Sequence, residues 1–337
     1  LKAAIQSYNA ESGSIVVLDV KTGEVLAIVN QPTYNPNDRS QFSAERYRNR
    51  AVTDIFEPGS SIKPLVIAAA LESGEFRPSS IIDTAPGYVT VGAKTIEDRR
   101  NLGRVSLTTI LARSSNVGVT KLAMSLQPDQ LWQTMTEFGL GSLTSSAFPG
   151  ESAGLLTHFS NWKPISQATL AYGYGVSVTA LQLAQAYSAL GNGGRLYPVS
   201  MVALDSPIEG RQVIAPDTAA AVRRMLEEVV RPGGTGTKAA VAGYRVAGKT
   251  GTAWKFAAGG YSEDKYISIF AGLAPASDPR LAAVVVIDEP SGELYYGSDV
   301  AAPVFADVMT ESLRLLAVPP DALPARDPGS IMQAMSR

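Results

Sequence analysis

A serine and a lysine three residues apart, Ser60 and Lys63, stand in the octet Glu57-Pro58-Gly59-Ser60-Ser61-Ile62-Lys63-Pro64. Residues at i and i+3 share one face of a helix, so the hydroxyl and the amine come within reach of each other. A serine is a weak nucleophile until a base takes its proton, and a lysine can do so when its own pKa is lowered. The chemistry suggested is covalent acyl transfer through a serine ester. A helix N-terminus also favours developing negative charge, and its backbone N–H groups can help to form an oxyanion hole. Alone, the octet fits an N-cap serine beside a solvated lysine equally well, because serine is a favoured cap.

The pattern is cheap by itself. Ser-x-x-Lys recurs at Ser160/Lys163 and Ser262/Lys265, in polar, turn-like stretches with no apolar helix following. Ser-x-Asn occurs at Ser7/Asn9, near the start of the chain, and at Ser114/Asn116, between two apolar helical runs, where a helix cap is the ordinary reading. Lys-Thr-Gly occurs at Lys21-Thr22-Gly23, which reads as a hairpin turn, and at Lys249-Thr250-Gly251, inside a strand-like run. Glycine weakens a strand, so Gly248 and Gly251 need a reason: close approach of a ligand backbone is one, and a bulge at a sheet edge is another. Ser60/Lys63, Ser114/Asn116 and Lys249 with Thr250, in that order and each in a suitable context, point jointly to catalysis.

Composition removes competitors. The 337 residues contain no cysteine and one histidine, His158. Thiolate chemistry and a multi-histidine metal site are therefore excluded, and a Ser-His-Asp mechanism would have to use His158, in a polar loop. No cofactor or metal is expected. A formal net charge of −2 gives no reason to expect nucleic-acid binding. Apolar residues form 45% of the chain, enough for a sizeable core, and the length allows two domains or one large one. No run of 18 apolar residues is long enough to span a membrane, and no signal peptide is visible. The chain opens at Leu1, in what reads as mid-helix, which suggests a fragment whose missing N-terminus could hold an anchor.

Positioning these groups falls to a recognisable set of elements. Residues 14–20 and 24–30 read as a β-hairpin, and 31–50 as loop. A helix is expected over 60–71 with Gly74 as its C-cap; Pro64 keeps Ser60 at or next to the helix start. Residues 75–104 read as irregular. Helices are expected over 105–113, 116–126, 127–139, 179–190 (capped by Thr179) and 216–230. Strands follow over 245–255, 266–273 and 281–288, then a closing helix over 301–316. The economical assembly is an α/β (α+β) domain over 1–317: one antiparallel sheet from 14–30 and 245–288, a helical part over 60–230, and the site in the cleft between them. Residues 318–337, with four prolines, read as a flexible tail.

Phe56-Glu57-Pro58-Gly59-Ser60-Ser61-Ile62-Lys63-Pro64, Ser114-Ser115-Asn116 and Gly248-Lys249-Thr250-Gly251-Thr252 resemble the class B penicillin-binding proteins, most closely the septal, cell-division type of Gram-negative bacteria. Gln31-Pro32-Thr33-Tyr34-Asn35-Pro36, Phe148-Pro149-Gly150-Glu151 and Ala171-Tyr172-Gly173-Tyr174-Gly175 add to the resemblance, which covers roughly residues 14–316. A motif set of this kind marks that family and the serine β-lactamases. The resemblance implies a peptidoglycan D,D-transpeptidase domain with a five-stranded sheet and flanking helices. It implies Ser60 as nucleophile, Lys63 as general base, Ser114 as proton relay and Asn116 as a binder of the substrate backbone. Lys249 would support the proton network and the substrate carboxylate, Thr250 and Thr252 would contact that carboxylate, Gly251 would belong to the same substrate-binding stretch, and the N–H groups of Ser60 and Thr252 would form the oxyanion hole. Trp254 stands where division-type relatives often carry arginine; with Tyr172, Tyr174 and Tyr296 it would form an aromatic substrate wall.

The implied partners are peptidoglycan stem peptides, β-lactam antibiotics, and, through regions outside this chain, a lipid-linked glycan polymerase and other division proteins. The implied location is the periplasmic face of the inner membrane, on a single N-terminal anchor. Two alternatives share the acylation step: a serine β-lactamase, for which Glu151 is the candidate deacylating carboxylate, and a non-catalytic β-lactam sensor.

Overall fold

The computed structural model describes residues 1–38, 40, 43–206, 208–257 and 260–322. Five strands form one antiparallel sheet: β1 (Ser12–Asp19), β2 (Val25–Gln31), β3 (Ala247–Ala257), β4 (Gly260–Ala274) and β5 (Leu281–Asp288), in the order β3-β4-β5-β1-β2. The first hairpin supplies one half of the sheet and the last three strands the other, as the sequence implies. β1 pairs with β5 from Ser12 opposite Asp288 to Asp19 opposite Leu281. β3 is an edge strand, so one side of its backbone is left for the cleft.

Alternation along the strands feeds two cores. Val16, Leu18, Ile269, Val284 and Val286 face the helical part. Ile15, Val17, Phe270, Val285 and Ile287 face Phe305, Met309 and Leu313 of the closing helix. The principal helices are α1 (Lys63–Glu72), α2 (Leu107–Arg113), α3 (Asn116–Ser125), α4 (Pro128–Glu137), α5 (Pro164–Leu170), α6 (Ala180–Gly191), α7 (Pro216–Val230) and α8 (Ala301–Leu315). α1 is apolar on every side and buried from Lys63 to Ala70, and Gly74 follows its C-cap Ser73 at φ 76°. A helix with no polar stripe belongs in the middle of a core. α6 is likewise buried along its whole length, with Thr179 capping Gln182 N–H.

Several sequence expectations shift. The loop over 31–50 contains the short helix Ala44–Tyr47, and a second, Arg50–Thr53, begins at its end. The irregular segment over 75–104 folds into two small strand pairs, Tyr88–Val91 with Lys94–Glu97 and Ile81–Asp83 with Arg104–Ser106. Val105 is therefore strand, and Ser106 caps α2. α5 lies in a stretch assigned to no element from sequence. β3 and β4 run beyond their expected ends, past Trp254, toward residues 258–259. Where a tail was expected at 318–322, the Tyr244 hydroxyl donates to Val318 O, the Asp321 carboxylate accepts from Arg245 and Ser277 N–H, and Ala322 N–H donates to Gly243 O. The rest of that expected tail, 323–337, lies outside the described residues. Among the described residues no helix is long and apolar enough to cross a membrane.

Candidate active site

The nucleophile candidate lies just ahead of the α-helix expected to begin at residue 60. Gly59–Ile62 is a 3₁₀ turn, and α1 proper begins at Lys63. Pro64 has no N–H to give to the Ser60 carbonyl, so Lys63 N–H takes that carbonyl in the tighter i−3 pattern. The two side chains still share a face. Lys63 and Lys249 are both fully buried.

The three motifs meet on one hydroxyl. Ser114 Oγ is 3.0 Å from Ser60 Oγ, to which it donates. The same oxygen accepts from Lys63 Nζ at 3.2 Å and from Lys249 Nζ at 3.0 Å. Lys63 Nζ also donates to Ser114 O and to Asn116 Oδ1, each at 2.7 Å. Lys63 thus reaches Ser60 by way of Ser114. Lys249 Nζ also donates to Thr250 O at 3.1 Å, and Thr250 Oγ1 donates to Thr235 Oγ1 at 3.1 Å.

Electrostatics prime the pair of amines. Burial, with the neighbouring Lys249 cation, pushes the Lys63 pKa well below the ordinary lysine range, against a smaller opposing pull from Asp98. Burial alone lowers Lys249 to about 7. Both shifts have the sign expected for a cation taken out of water.

Local backbone geometry explains why these groups converge. Ser114 is the C-cap of α2 at φ 58°, a left-handed turn that breaks the helix, and Ser115 caps α3 through Gly118 N–H. Asp98 locks this junction: its carboxylate accepts from Ser115 Oγ, Asn116 N–H and Val117 N–H. A carboxylate on the open N–H groups of a helix start is favoured by both hydrogen bonding and dipole.

The glycines around Lys249 serve protein contacts. A Cβ on Gly248 would lie 2.6 Å from the Phe270 ring, and one on Gly251 would lie 2.8 Å from Pro58 O. The two glycines are thus accounted for without a ligand: Gly251 makes room for the nucleophile turn and Gly248 for the Phe270 ring. From the other side Gly173, at φ 89°, presses on that turn, where a Cβ would meet Gly59 O at 2.1 Å. Gly173→Ala is therefore expected to shift the Ser60 turn and lower the penicillin acylation rate at least about 100-fold in a protein that still folds. Acylation kinetics beside a thermal melt check this.

A cleft of about 760 Å³ opens over these residues, lined among others by Ser60, Asn116, Thr250, Thr252, Trp254 and Tyr296. Trp254 is 49% exposed, and its backbone N–H donates to the Tyr174 hydroxyl at 3.2 Å. Thr252 Oγ1 accepts from Gly297 N–H at 2.9 Å, tying β3 to the turn that carries Tyr296. Tyr266, paired across the strands with Trp254, stacks on Tyr295 at 3.9 Å, and both line the cleft. The aromatic wall therefore runs Trp254, Tyr266, Tyr295, Tyr296, with Tyr174 opposite Trp254. Tyr172 departs from expectation: it is buried at 8% exposure behind Tyr174 and does not line the cleft.

Sequence reasoning missed Asp98, Thr235, Tyr266, Tyr295 and the bracing by Glu57. The Glu57 carboxylate accepts from Gly175 N–H at 2.7 Å and from the Tyr261 hydroxyl at 3.0 Å, linking the nucleophile turn to the far end of the β3–β4 hairpin. Burial raises its pKa. Only Glu57 carried a signal, as part of the octet.

The decoys fall elsewhere. Lys21-Thr22-Gly23 is the β1–β2 turn, Ser160 lies in a 3₁₀ turn and Lys163 at the N-cap ahead of α5, and Ser262 and Lys265 lie on β4. His158 packs on Trp132 and Phe159 outside the cleft. Glu151 caps its own loop, accepting from Thr144 N–H and Oγ1 and from Ser146 Oγ, also outside the cleft. A second cavity of about 370 Å³, between Arg50, Phe56 and Asp288, is lined by none of Ser60, Lys63, Ser114, Asn116 and Lys249. Among the described residues no cluster of three metal-ligating side chains occurs.

Comparison with known proteins meets this geometry directly. The family profile of the penicillin binding protein transpeptidase domain matches residues 13–310. The chain belongs to the penicillin-binding protein transpeptidase family. It is 45% identical over 327 residues to peptidoglycan D,D-transpeptidase FtsI of Escherichia coli K12, covering 97% of this chain and 55% of that protein. It is 42% identical over 323 residues to probable peptidoglycan D,D-transpeptidase PbpC of Pseudomonas aeruginosa, covering 96% of this chain and 57% of that one. The chain thus spans about half the length of these transpeptidase relatives. The transpeptidase domain of Burkholderia pseudomallei penicillin-binding protein 3, solved without ligand, superposes with a TM-score of 0.88 at 41% identity, over 96% of this chain and 94% of that one.

Proposed function

We propose that this chain is the catalytic domain of a peptidoglycan D,D-transpeptidase of septal wall synthesis, acting through a Ser60 acyl-enzyme and blocked by β-lactams. The observation that carries the reading is the convergence of Lys63 and Lys249 on Ser114 Oγ, itself 3.0 Å from Ser60 Oγ. When Lys63 is neutral, the hydrogen bonds through Ser114 can reverse, and the Ser60 proton passes by way of Ser114 to Lys63. Ser60 Oγ attacks the carbonyl of the penultimate D-alanine of a stem peptide. The N–H groups of Ser60 and Thr252 receive the oxyanion, the latter on an edge strand with a backbone side open to the cleft. The C–N bond breaks, D-alanine leaves with a proton returned through Ser114, and an ester to Ser60 remains. An amine of a neighbouring stem attacks the ester, forming the cross-link and restoring the Ser60 hydroxyl.

Asn116 binds the donor backbone in this scheme, and Thr250 and Thr252 take its terminal carboxylate beside the Lys249 amine. Trp254, Tyr174 and Tyr296 flank the bound peptide; Tyr172 backs Tyr174 and Gly251 seats the nucleophile turn. Residues 1–317 act as one domain on the periplasmic face of the inner membrane, beside a lipid-linked glycan polymerase and division proteins that meet other parts of the full protein. The role of Glu151 in its own loop speaks against a β-lactamase. The test is D-alanine release from a stem-peptide donor with and without an acceptor amine. Amine-dependent release, a cross-linked product and a penicilloyl ester lasting minutes or longer are expected. Penicillin turnover within seconds, or donor release indifferent to amine, contradicts the reading.

A further inference from the structure

Arg99 bridges the mouth of the cleft. Its guanidinium lies over the Tyr296 ring, 4.4 Å from the centroid, and both residues line the cleft. They come from opposite walls: Arg99 follows Asp98, which is clamped to the start of α3, and Tyr296 precedes Gly297, which is hydrogen-bonded to Thr252.

The charge of Arg99 has no ion-pair partner among the described residues, while nearby acids are engaged. Asp98 is held by Ser115 and the backbone of α3, and Asp299 pairs with Lys238 at 2.7 Å. Glu97 is the remaining exposed acid of this rim, and Arg100 and Arg113 add two more exposed cations. A guanidinium resting on an aromatic face keeps its edge N–H donors free, and that planar fork matches a carboxylate. In the proposed function the donor's terminal carboxylate goes to Thr250, Thr252 and Lys249, which leaves Arg99, beside the Asn116 that would hold the donor backbone, for a carboxylate upstream of the scissile bond.

We propose that Arg99, stacked on Tyr296, selects acyl donors carrying a carboxylate upstream of the bond that Ser60 attacks. In a stem peptide this carboxylate belongs to the residue preceding the D-alanyl-D-alanine pair; in a penicillin it belongs to the acylamino side chain. The proposal rests on the Ser60 acylation reading.

Benzylpenicillin and carbenicillin, which differ by one side-chain carboxylate, isolate the effect. The readout is the ratio of their second-order acylation rates, carbenicillin over benzylpenicillin. Arg99→Ala is expected to lower that ratio about five- to tenfold, the scale of one solvent-accessible charge-assisted contact, and Arg99→Lys to lower it less. Raising salt is expected to shrink the wild-type ratio and leave that of Arg99→Ala nearly constant. An unchanged ratio in Arg99→Ala, whatever the individual rates, overturns the proposal. Equilibrium binding of both penicillins to the Ser60→Ala protein, with and without Arg99→Ala, separates the two ideas. If wild type is not acylated, the Ser60 reading fails, and the affinity ratio still decides the role of Arg99.

Discussion

Lys63→Ala is expected to lower the rate of penicillin acylation by about 1000-fold or more while leaving a folded domain. Two effects add. The general base is lost, which alone is worth about 100- to 10,000-fold in proton-transfer catalysis. The hydrogen bonds that orient Ser114 and Asn116 are lost with it. The same arrangement fixes a pH dependence. Lys63 must be neutral to accept a proton, so acylation rises with pH as Lys63 deprotonates, at a pH well below the ordinary lysine range. Lys249 is one cause of that depression. Lys249→Met, which keeps the buried volume and removes the cation, is expected to raise the Lys63 pKa and move the rising limb to higher pH. A limb that stays in place or moves to lower pH in Lys249→Met would remove Lys249 from the account. Stopped-flow acylation between about pH 5 and 10, the span bracketing a depressed lysine, reads both effects.

What the sequence discloses and what it hides follow from the range of the interactions involved. Thr179 caps α6 and Gly74 ends α1 because both are decided within a turn of chain. The sheet follows from its β-rich runs, of which β1 and β5 are apolar and buried on both faces. The three motifs are legible because each carries unusual residues in a local context: Ser60 ahead of Pro64, Ser114 between helices, Lys249 between strand glycines. Asp98 is hidden because its partners lie 17 to 19 residues away across a segment with no strong periodicity. Thr235 is hidden for the same reason, its contact to Thr250 spanning 15 residues. Gly251 is ambiguous in sequence because a strand glycine does not say what presses on it; the contact, Pro58 O, belongs to another motif. Tyr172 and Tyr174 alternate along a turn, and only the fold decides which one meets the cleft.

Neither Arg99 nor Tyr296 takes part in the hydrogen bonds that join Ser60, Ser114, Lys63 and Lys249, so ligand preference and acyl transfer can be varied separately. The chemistry stands on Ser60 itself. With its oxygen removed, the remaining hydroxyls of the site are poor substitutes: Ser114 is held by two amines, and Ser61 Oγ donates to Pro58 O at 2.6 Å in the core. Ser60→Ala is accordingly expected to abolish acylation, a larger loss than any other single substitution here, with little change in stability because the side chain is small and only partly buried. The direct measurement is intact-protein and peptide mass spectrometry after exposure to benzylpenicillin. One penicilloyl adduct per wild-type chain, mapped to the peptide containing Ser60 and missing from Ser60→Ala, is the expected result; an adduct on another residue, or one that survives in Ser60→Ala, would contradict the account.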